Sequence, residues 1–379
     1  MQAFESSLWI ASLPCLVIAL AGLGTSLMIR STPVAQPALR FNWSSLAIAP
    51  DTRHLIMRDR TLLGVLMMSS VFWFVGGTVY PPVINAFGKE QLGLSYLATG
   101  FMAASTGLGI AIGCILAGVL SKNRVRGWLV RVGAWGMTLS LAALCLPGPG
   151  FEVVREEIRV EKLHQKRRDD EAFRFLDELA ARPATAAETK QDISYQKALF
   201  LIDSANSEKS AEKRLEQLDK AKVLLGEFVF QNPNHPNVVD ATAKEMELQR
   251  GADADPGVLK SVGTKLKLSS ERGSLLGLYG SVVALIAVGL FAGFFSVPLQ
   301  VYLQAAAPSN QKGRIIGAWN LLNWIGIAGS GAVYAIGRTL LVDRLELPHA
   351  TLFGFAALLM LPVALFYQPP ETQISTPTP

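Results

Sequence analysis

Residues 275–304 read LLGLYGSVVALIAVGLFAGFFSVPLQVYLQ. This stretch of 30 residues contains no Asp, Glu, Lys or Arg. About 20 helical residues are enough to cross the ~30 Å hydrocarbon core of a bilayer. The stretch therefore predicts a transmembrane α-helix, because helices and closed barrels are the structures that satisfy their own backbone hydrogen bonds in lipid.

Six further stretches share this length and apolar composition, and Arg131 is the single charged residue among them. They are residues 8–29, 62–84, 96–120, 128–146, 315–336 and 350–366. The alternating ten-residue segments of a membrane barrel do not occur. The fold class predicted is all-α: a polytopic membrane helix bundle of seven spans with an inserted soluble α-helical domain.

The insert is a polar segment between the fourth and fifth spans. Residues 151–272 hold 44 of the 65 charged residues, 23 acidic and 21 basic. The run Pro147-Gly148-Pro149-Gly150 before it ends the fourth span. We expect four regions: a first membrane part at 1–150 with a basic inner loop at 31–60, the insert at 151–272, a second membrane part at 273–367 and a disordered tail at 368–379.

Helical spacing of apolar residues predicts helices in the insert at 151–181, 187–205, 211–231 and 238–250. Ala221, Leu225, Phe228 and Pro233 have the offsets of the second helix of a tetratricopeptide repeat, which this segment resembles. Two interpretations stay open: a helical domain with no special ligand, or a repeat-like surface that binds a partner protein. The balanced charge excludes a nucleic-acid footprint.

The Lys and Arg content of the short loops predicts the orientation. Loops on one side, with the adjoining helix end, carry eleven basic residues, whereas the other side carries Lys89, Arg338 and Arg344. We therefore expect a multi-pass protein of the plasma (inner) membrane. Its N-terminus and insert would be extracytoplasmic and its C-terminus cytoplasmic.

Small and polar residues inside the spans are the candidate functional positions. Gly109, Gly113 and Ala117 repeat every four residues, which indicates close helix packing or a hinge. Asn320 and Asn323 are three residues apart on one helix face, and indicate either interhelical hydrogen bonds or contact with a polar headgroup. The full set of substrate-path candidates is Trp73, Asn85, Gln300, Gln304, Asn320 and Asn323.

The loop after the third span reads GVLSKNRVRG at 118–127 and resembles the loop motif of major facilitator transporters. That motif normally has an Asp where Ser121 stands. An ordinary basic cytoplasmic loop would give the same charge. The candidates for gating or for anchoring to anionic lipid are Ser121, Arg124, Arg126, Lys312 and Arg314.

Four segments resemble the lysophospholipid-transporter subfamily of the major facilitators. They are RDRTLL at 58–63, SSVFWFVG at 69–76, FAGFFSVPL at 291–299 and GRIIGAWNLLN at 313–323. The resemblance spans roughly residues 8–147 and 273–367, and it implies the sixth to twelfth helices of a twelve-helix transporter. It further implies a lysophospholipid substrate, moved by alternating access toward the cytoplasmic leaflet.

Alternating access needs a second half. A separately encoded chain or a second copy would supply it, or the chain has no transport activity. The alternative function is a membrane-anchored scaffold whose insert binds a partner protein, and a seven-span receptor is a third reading. No nucleophile motif, phosphate loop or metal-ligand spacing occurs, and the three cysteines lie in spans. We therefore expect no enzyme activity, no cofactor and no metal.

Overall fold

The computed structural model describes residues 12–28, 48–121, 124–166, 168–182, 187–250, 272–308, 311–369 and 371–373. The chain divides into two compact units, Met1–Ala49 and Pro50–Pro379. The described part of the first unit contains α1 (Ser12–Leu27), an apolar helix with exposed aliphatic side chains.

The second unit contains the remaining described elements. In chain order they are α2 (Pro50–Arg58), α3 (Arg60–Thr78), α4 (Tyr96–Ser121), β1 (Arg124–Val125), α5 (Gly127–Cys145), α6 (Phe151–Gln165), α7 (Asp169–Ala181), α8 (Ala187–Ser207), α9 (Ala211–Gln231), α10 (Val238–Gln249), α11 (Gly277–Ala306), α12 (Lys312–Gly337), α13 (Thr351–Phe366) and β2 (Thr372–Gln373).

Five of the described helices are long and apolar enough to cross a membrane. They are Arg60–Gln91, Tyr96–Ser121, Gly127–Cys145, Gly277–Ala306 and Lys312–Arg344. The first continues α3, and the last continues α12 through the wider helical turns of Arg338–Arg344. The first and seventh predicted spans contain shorter apolar helices, Cys15–Leu27 and Thr351–Phe366. A helical protein with five helices able to cross a membrane is therefore confirmed, whereas the count of seven spans stays a prediction.

The span that begins with α3 bends where its sequence reads Tyr80-Pro81-Pro82. Tyr80 has φ −109° and ψ 123°, outside the helical region. A residue before proline is disfavoured in helical geometry, because the proline ring clashes with its backbone. The helical path then resumes and reaches Gln91 through a second wide-turn segment, Ala86–Gln91.

Helix α11 packs against both α4 and α5, and glycine makes both contacts close. A Cβ added at Gly133 of α5 would lie 2.6 Å from the backbone nitrogen of Phe295. A Cβ added at Gly136 would overlap the ring of Phe291. The large aromatic residues of α11 therefore occupy positions that the small residues of α5 leave open.

Helices α3 and α12 form a second close pair. Gly326 packs on the backbone of Ser70, and Gly77 packs on Ser330. The partner numbers rise together along both helices, so α3 and α12 run in the same direction. Helix α13 packs against α5, where Gly354 meets Cys145.

The insert folds around two apolar clusters that share α8. One cluster joins α8 to α9 and α10 through residues that include Tyr195, Leu225 and Phe228. The other joins α8 to α6 and α7 through Val160, Leu176 and other residues. Helix α8 therefore has an apolar surface on two sides.

The single helix predicted at 151–181 is two helices, because the chain reverses between Gln165 and Asp169. Arg182 at the end of α7 bonds to Glu156 near the start of α6. The two helices are thus antiparallel, and both contribute apolar residues to one cluster. A straight helix could not bring Val160 and Leu176 together, since they are 16 residues, or about 24 Å, apart along it. Helices α8, α9 and α10 lie at the predicted positions.

Candidate functional site

A hydrogen-bonded polar cluster lies between α3 and α12. The indole nitrogen of Trp319 donates to Ser69 Oγ at 2.6 Å, and Ser69 Oγ donates to Asn323 Oδ1 at 3.1 Å. Next to it, Ser70 Oγ donates to the carbonyl oxygen of Leu322 at 2.7 Å. Asn323 is 6% exposed. This predicted site residue therefore takes part in interhelical hydrogen bonding.

The other substrate-path candidates are more exposed than Asn323. Asn320 and Gln304 are exposed, Gln300 is partly exposed, and Asn85 is exposed in the part of the Arg60–Gln91 span that follows the bend. Asn320 therefore differs in environment from Asn323, although they lie on the same side of α12. The bundle encloses the side chain of Asn323 and leaves that of Asn320 exposed.

Trp73, 40% exposed, is the aromatic candidate of α3. Its ring meets Phe72 edge to face, and Phe72 stacks on Phe295 of α11. Phe72 thus connects α3 to α11, and Trp73, one turn after Ser69, packs against Phe72.

The basic candidates lie at the ends of α4, α5 and α12. Arg314 bonds to Asp51 of α2 at 2.6 Å, with both side chains about half exposed. Lys312 and Arg124 are exposed, and Ser121 is buried. Within the described residues, neither Ser121 Oγ nor Arg126 Nε has a hydrogen-bond partner.

A two-stranded ribbon covers part of this basic end. β1 pairs antiparallel with β2, with Arg124 opposite Gln373 and Val125 opposite Thr372. The chain after α13 also packs on the start of α5, where Gly127 lies against Pro369. The loop that resembles the transporter motif is therefore held by the segment that follows α13.

The glycine candidates lie in the α4–α11 contact, and α11 has a matching pair that sequence reasoning missed. A Cβ at Gly109 or Gly113 would lie 2.1 Å from the carbonyl oxygen of Ile286 or Leu290. A Cβ at Gly289 would lie 2.1 Å from Thr106 O, and Gly293 faces Cys114. The sequence contains the same pattern in α11, because Gly289 and Gly293 are also four residues apart. Ala117 is fully buried on the same stripe of α4.

A second missed feature is a buried polar junction between the insert and the bundle. Gln91 donates to the carbonyl oxygen of Arg272 at 2.9 Å, and its own side-chain oxygen accepts from Ala350 N at 2.7 Å. Arg272 donates to Gln91 O at 2.6 Å and to Glu157 of α6 at 3.1 Å. Gln91 is 0% exposed. One amide therefore links the end of the Arg60–Gln91 span, the end of the insert and the start of α13.

Further charged contacts extend this junction toward α12. Glu90 lies 2.9 Å from His349 and 3.7 Å from Arg338. Glu346, between α12 and α13, pairs with Lys162 of α6 at 3.1 Å. The carboxylates on the bundle therefore meet basic groups from both the insert and the bundle.

Inside the insert, a polar cluster joins the middle of α8 to the first turn of α10. Tyr195 donates to Asp240, which also accepts from Lys244 at 2.7 Å. Burial, together with the hydrogen bond to Asp240, raises the pKa of Tyr195 far above its usual range. The phenol donates to Asp240 and so ties α8 to α10. No group of three His, Cys, Asp or Glu among the described residues could hold a metal ion.

The class that the fold defines is an α-helical membrane protein with an additional region of polar helices between its spans. Comparison of the chain with protein-family models, curated proteins and solved structures finds no match.

Proposed function

We propose that this protein is a component of a transporter of the major facilitator type, moving lysophospholipid or a similar amphipathic molecule across the plasma membrane. The observation that carries the proposal is the polar cluster between α3 and α12, in which Ser69 and Asn323 are buried and Trp319 is partly buried, with the exposed side chain of Asn320 nearby. Polar groups inside membrane spans are costly in lipid and commonly mark a substrate path.

The order of the helices supports this proposal. Three helices (α3, α4 and α5) precede the insert and three (α11, α12 and α13) follow it, and members of the two groups pack in pairs. Major facilitator halves are built from three-helix repeats, so the insert would lie at the junction of two repeats. With α1 included, the proposed transporter component has seven membrane spans.

The proposed orientation follows from the basic loops, with α2 and the ends carrying Arg124 and Arg314 in the cytoplasm. The Arg314–Asp51 pair and the β1–β2 ribbon would then hold the cytoplasmic ends together and open during transport. Alternating access uses two halves. In the proposal, a separately encoded half or a second copy of this chain supplies the other one.

The test is uptake of a fluorescent lysophospholipid by vesicles that contain the protein with its co-purifying partners. We expect Asn320→Ala to lower the initial rate about tenfold, the effect of losing one hydrogen bond of about 1.4 kcal/mol. Leu321→Ala, at the exposed neighbouring position of α12, is the matched control and should transport normally. The proposal is overturned if the vesicles take up no lysophospholipid both with a separately encoded half and with a second copy of this chain.

The alternative is a membrane-anchored scaffold, and exposed apolar side chains on the insert favour it. Leu215, Val223 and Phe230 lie on one side of α9, and Phe230 is 88% exposed. Such a stripe on a polar domain is typical of a protein-binding surface. Phe230→Ser should abolish capture of an extracytoplasmic partner under this alternative and leave lysophospholipid uptake unchanged under the transporter proposal.

A further inference from the structure

A cavity of about 490 Å³ lies between α6, α7 and Glu346 of the bundle, a volume within the range of small-ligand sites. It sits where the insert meets the outer end of α12. Five basic side chains line it: Arg159, Lys162, Lys166, Arg168 and Arg174. Three acidic side chains also line it, so the wall has a net charge of +2.

Ion pairs neutralise some of the basic side chains that line the cavity. Glu346 lies 3.1 Å from Lys162 and 3.9 Å from Arg159, and Glu171 binds Arg168. Within the described residues, Lys166 and Arg174 make no ion pair. Glu178 also lines the cavity without an ion pair among the described residues, so the three unpaired groups carry a net charge of +1. A bound anion would balance this charge.

The apolar part of the wall limits the kind of anion. Phe175 lies under the guanidinium of Arg159, 4.8 Å from the ring centroid, and Leu163 also faces the cavity. The ring holds Arg159 in place and offers an apolar surface beside the cations. A ligand with a compact anionic group and an apolar portion matches such a wall.

We infer that this cavity binds a phosphate-bearing ligand. Lys166 and Arg174 contact the phosphate oxygens, since Lys and Arg both bind phosphate through charge-assisted hydrogen bonds. A phospholipid headgroup and a free phosphate share this chemistry. The inference rests on the proposed function in one respect: a lipid source requires the insert to lie at a membrane surface.

The experiment measures equilibrium binding to the full-length protein in maltoside micelles, which contain no phosphate. Isothermal titration uses inorganic phosphate and, separately, a lysophosphatidylethanolamine below its critical micelle concentration. The test variant is Lys166→Gln with Arg174→Gln, which removes both unpaired cations and keeps the Glu346 pairs. The matched control is Lys190→Gln, an exposed lysine of α8 that does not line the cavity.

We expect saturable binding that the double variant weakens about tenfold or more, as the loss of charge-assisted contacts requires. The control should bind like the unmodified protein, and affinity should fall as salt rises. Tighter binding of the lysolipid than of phosphate identifies a headgroup, whereas equal binding identifies free phosphate; both outcomes support the site.

Absence of saturable binding to either probe, or equal binding by the double variant, overturns the inference. Its failure is distinguishable from failure of the transporter proposal, because binding at equilibrium and uptake by vesicles are separate measurements. Absence of binding by the unmodified protein, together with normal uptake, refutes this site alone. Binding without uptake refutes the transporter alone.

Discussion

Asn323 and Asn320 have the same side chain on one helix, and their surroundings give them different roles. Asn323 accepts a hydrogen bond from Ser69, which in turn accepts one from Trp319. Asn320 is exposed and is not enclosed by the bundle. At this scale, the sequence indicated that both amides are important, but it could not say which would be used for packing.

Asn323→Ala should therefore destabilise the α3–α12 contact, whereas Asn320→Ala should leave stability unchanged. The expected cost is about 0.6–1.7 kcal/mol, the range for hydrogen bonds between membrane helices. Thermal unfolding in detergent, followed by tryptophan fluorescence, measures it. Equal stability of the two variants would contradict the assignment of Asn323 to helix packing.

At the scale of elements, glycine determines how close two helices come. Gly109 and Gly113 of α4 face the backbone of α11, and Gly289 and Gly293 of α11 face the backbone of α4. Each helix thus has two glycines four residues apart in the same contact. This reciprocal arrangement lets backbones approach closely and gain dispersion contacts over a long stretch.

Gly113→Ala should be strongly destabilising, because its Cβ would lie 2.1 Å from the backbone oxygen of Leu290. A backbone atom cannot rotate away, so the helices must separate, at a cost of about 1–3 kcal/mol or more. Gly118→Ala on the same helix is the control, since nothing lies within 4 Å of its Cβ. Comparison of the two apparent melting temperatures in detergent is decisive: equal values would rule out the close contact.

For the whole molecule, the junction around Gln91 decides whether insert and bundle move together. Glu157 and Arg272 are 7% and 13% exposed and lie 3.1 Å apart. Arg272 is bonded through its backbone and side chain to Gln91, which also holds Ala350. The insert is thus attached through buried bonds as well as through the chain, so motion at the ends of α3 and α13 would reach α6.

Arg272→Ala should loosen this junction, because it breaks the buried Arg272–Glu157 ion pair, at a cost of about 3–5 kcal/mol. Hydrogen exchange should rise in α6 and at the start of α13. Arg155→Ala, which breaks an exposed pair with Glu152, should change exchange little. Replacing both partners, as Arg272→Met with Glu157→Leu, should restore much of the protection. Unchanged exchange in Arg272→Ala would show that the junction does not hold the insert.

By itself, the sequence determined which parts of the chain suit a bilayer and which suit water, and it determined the positions of most helices. Long uncharged runs need a bilayer, and the periodic insert needs water, so 275–304 and 211–231 were predictable from local composition. Only the tertiary structure showed that the chain reverses at Lys166 and that Gly289 packs against α4. It also separated the surroundings of Asn320 from those of Asn323, and it brought the basic side chains together around one cavity. These features depend on residues far apart in the chain, and their pairing follows from packing, which local periodicity does not encode.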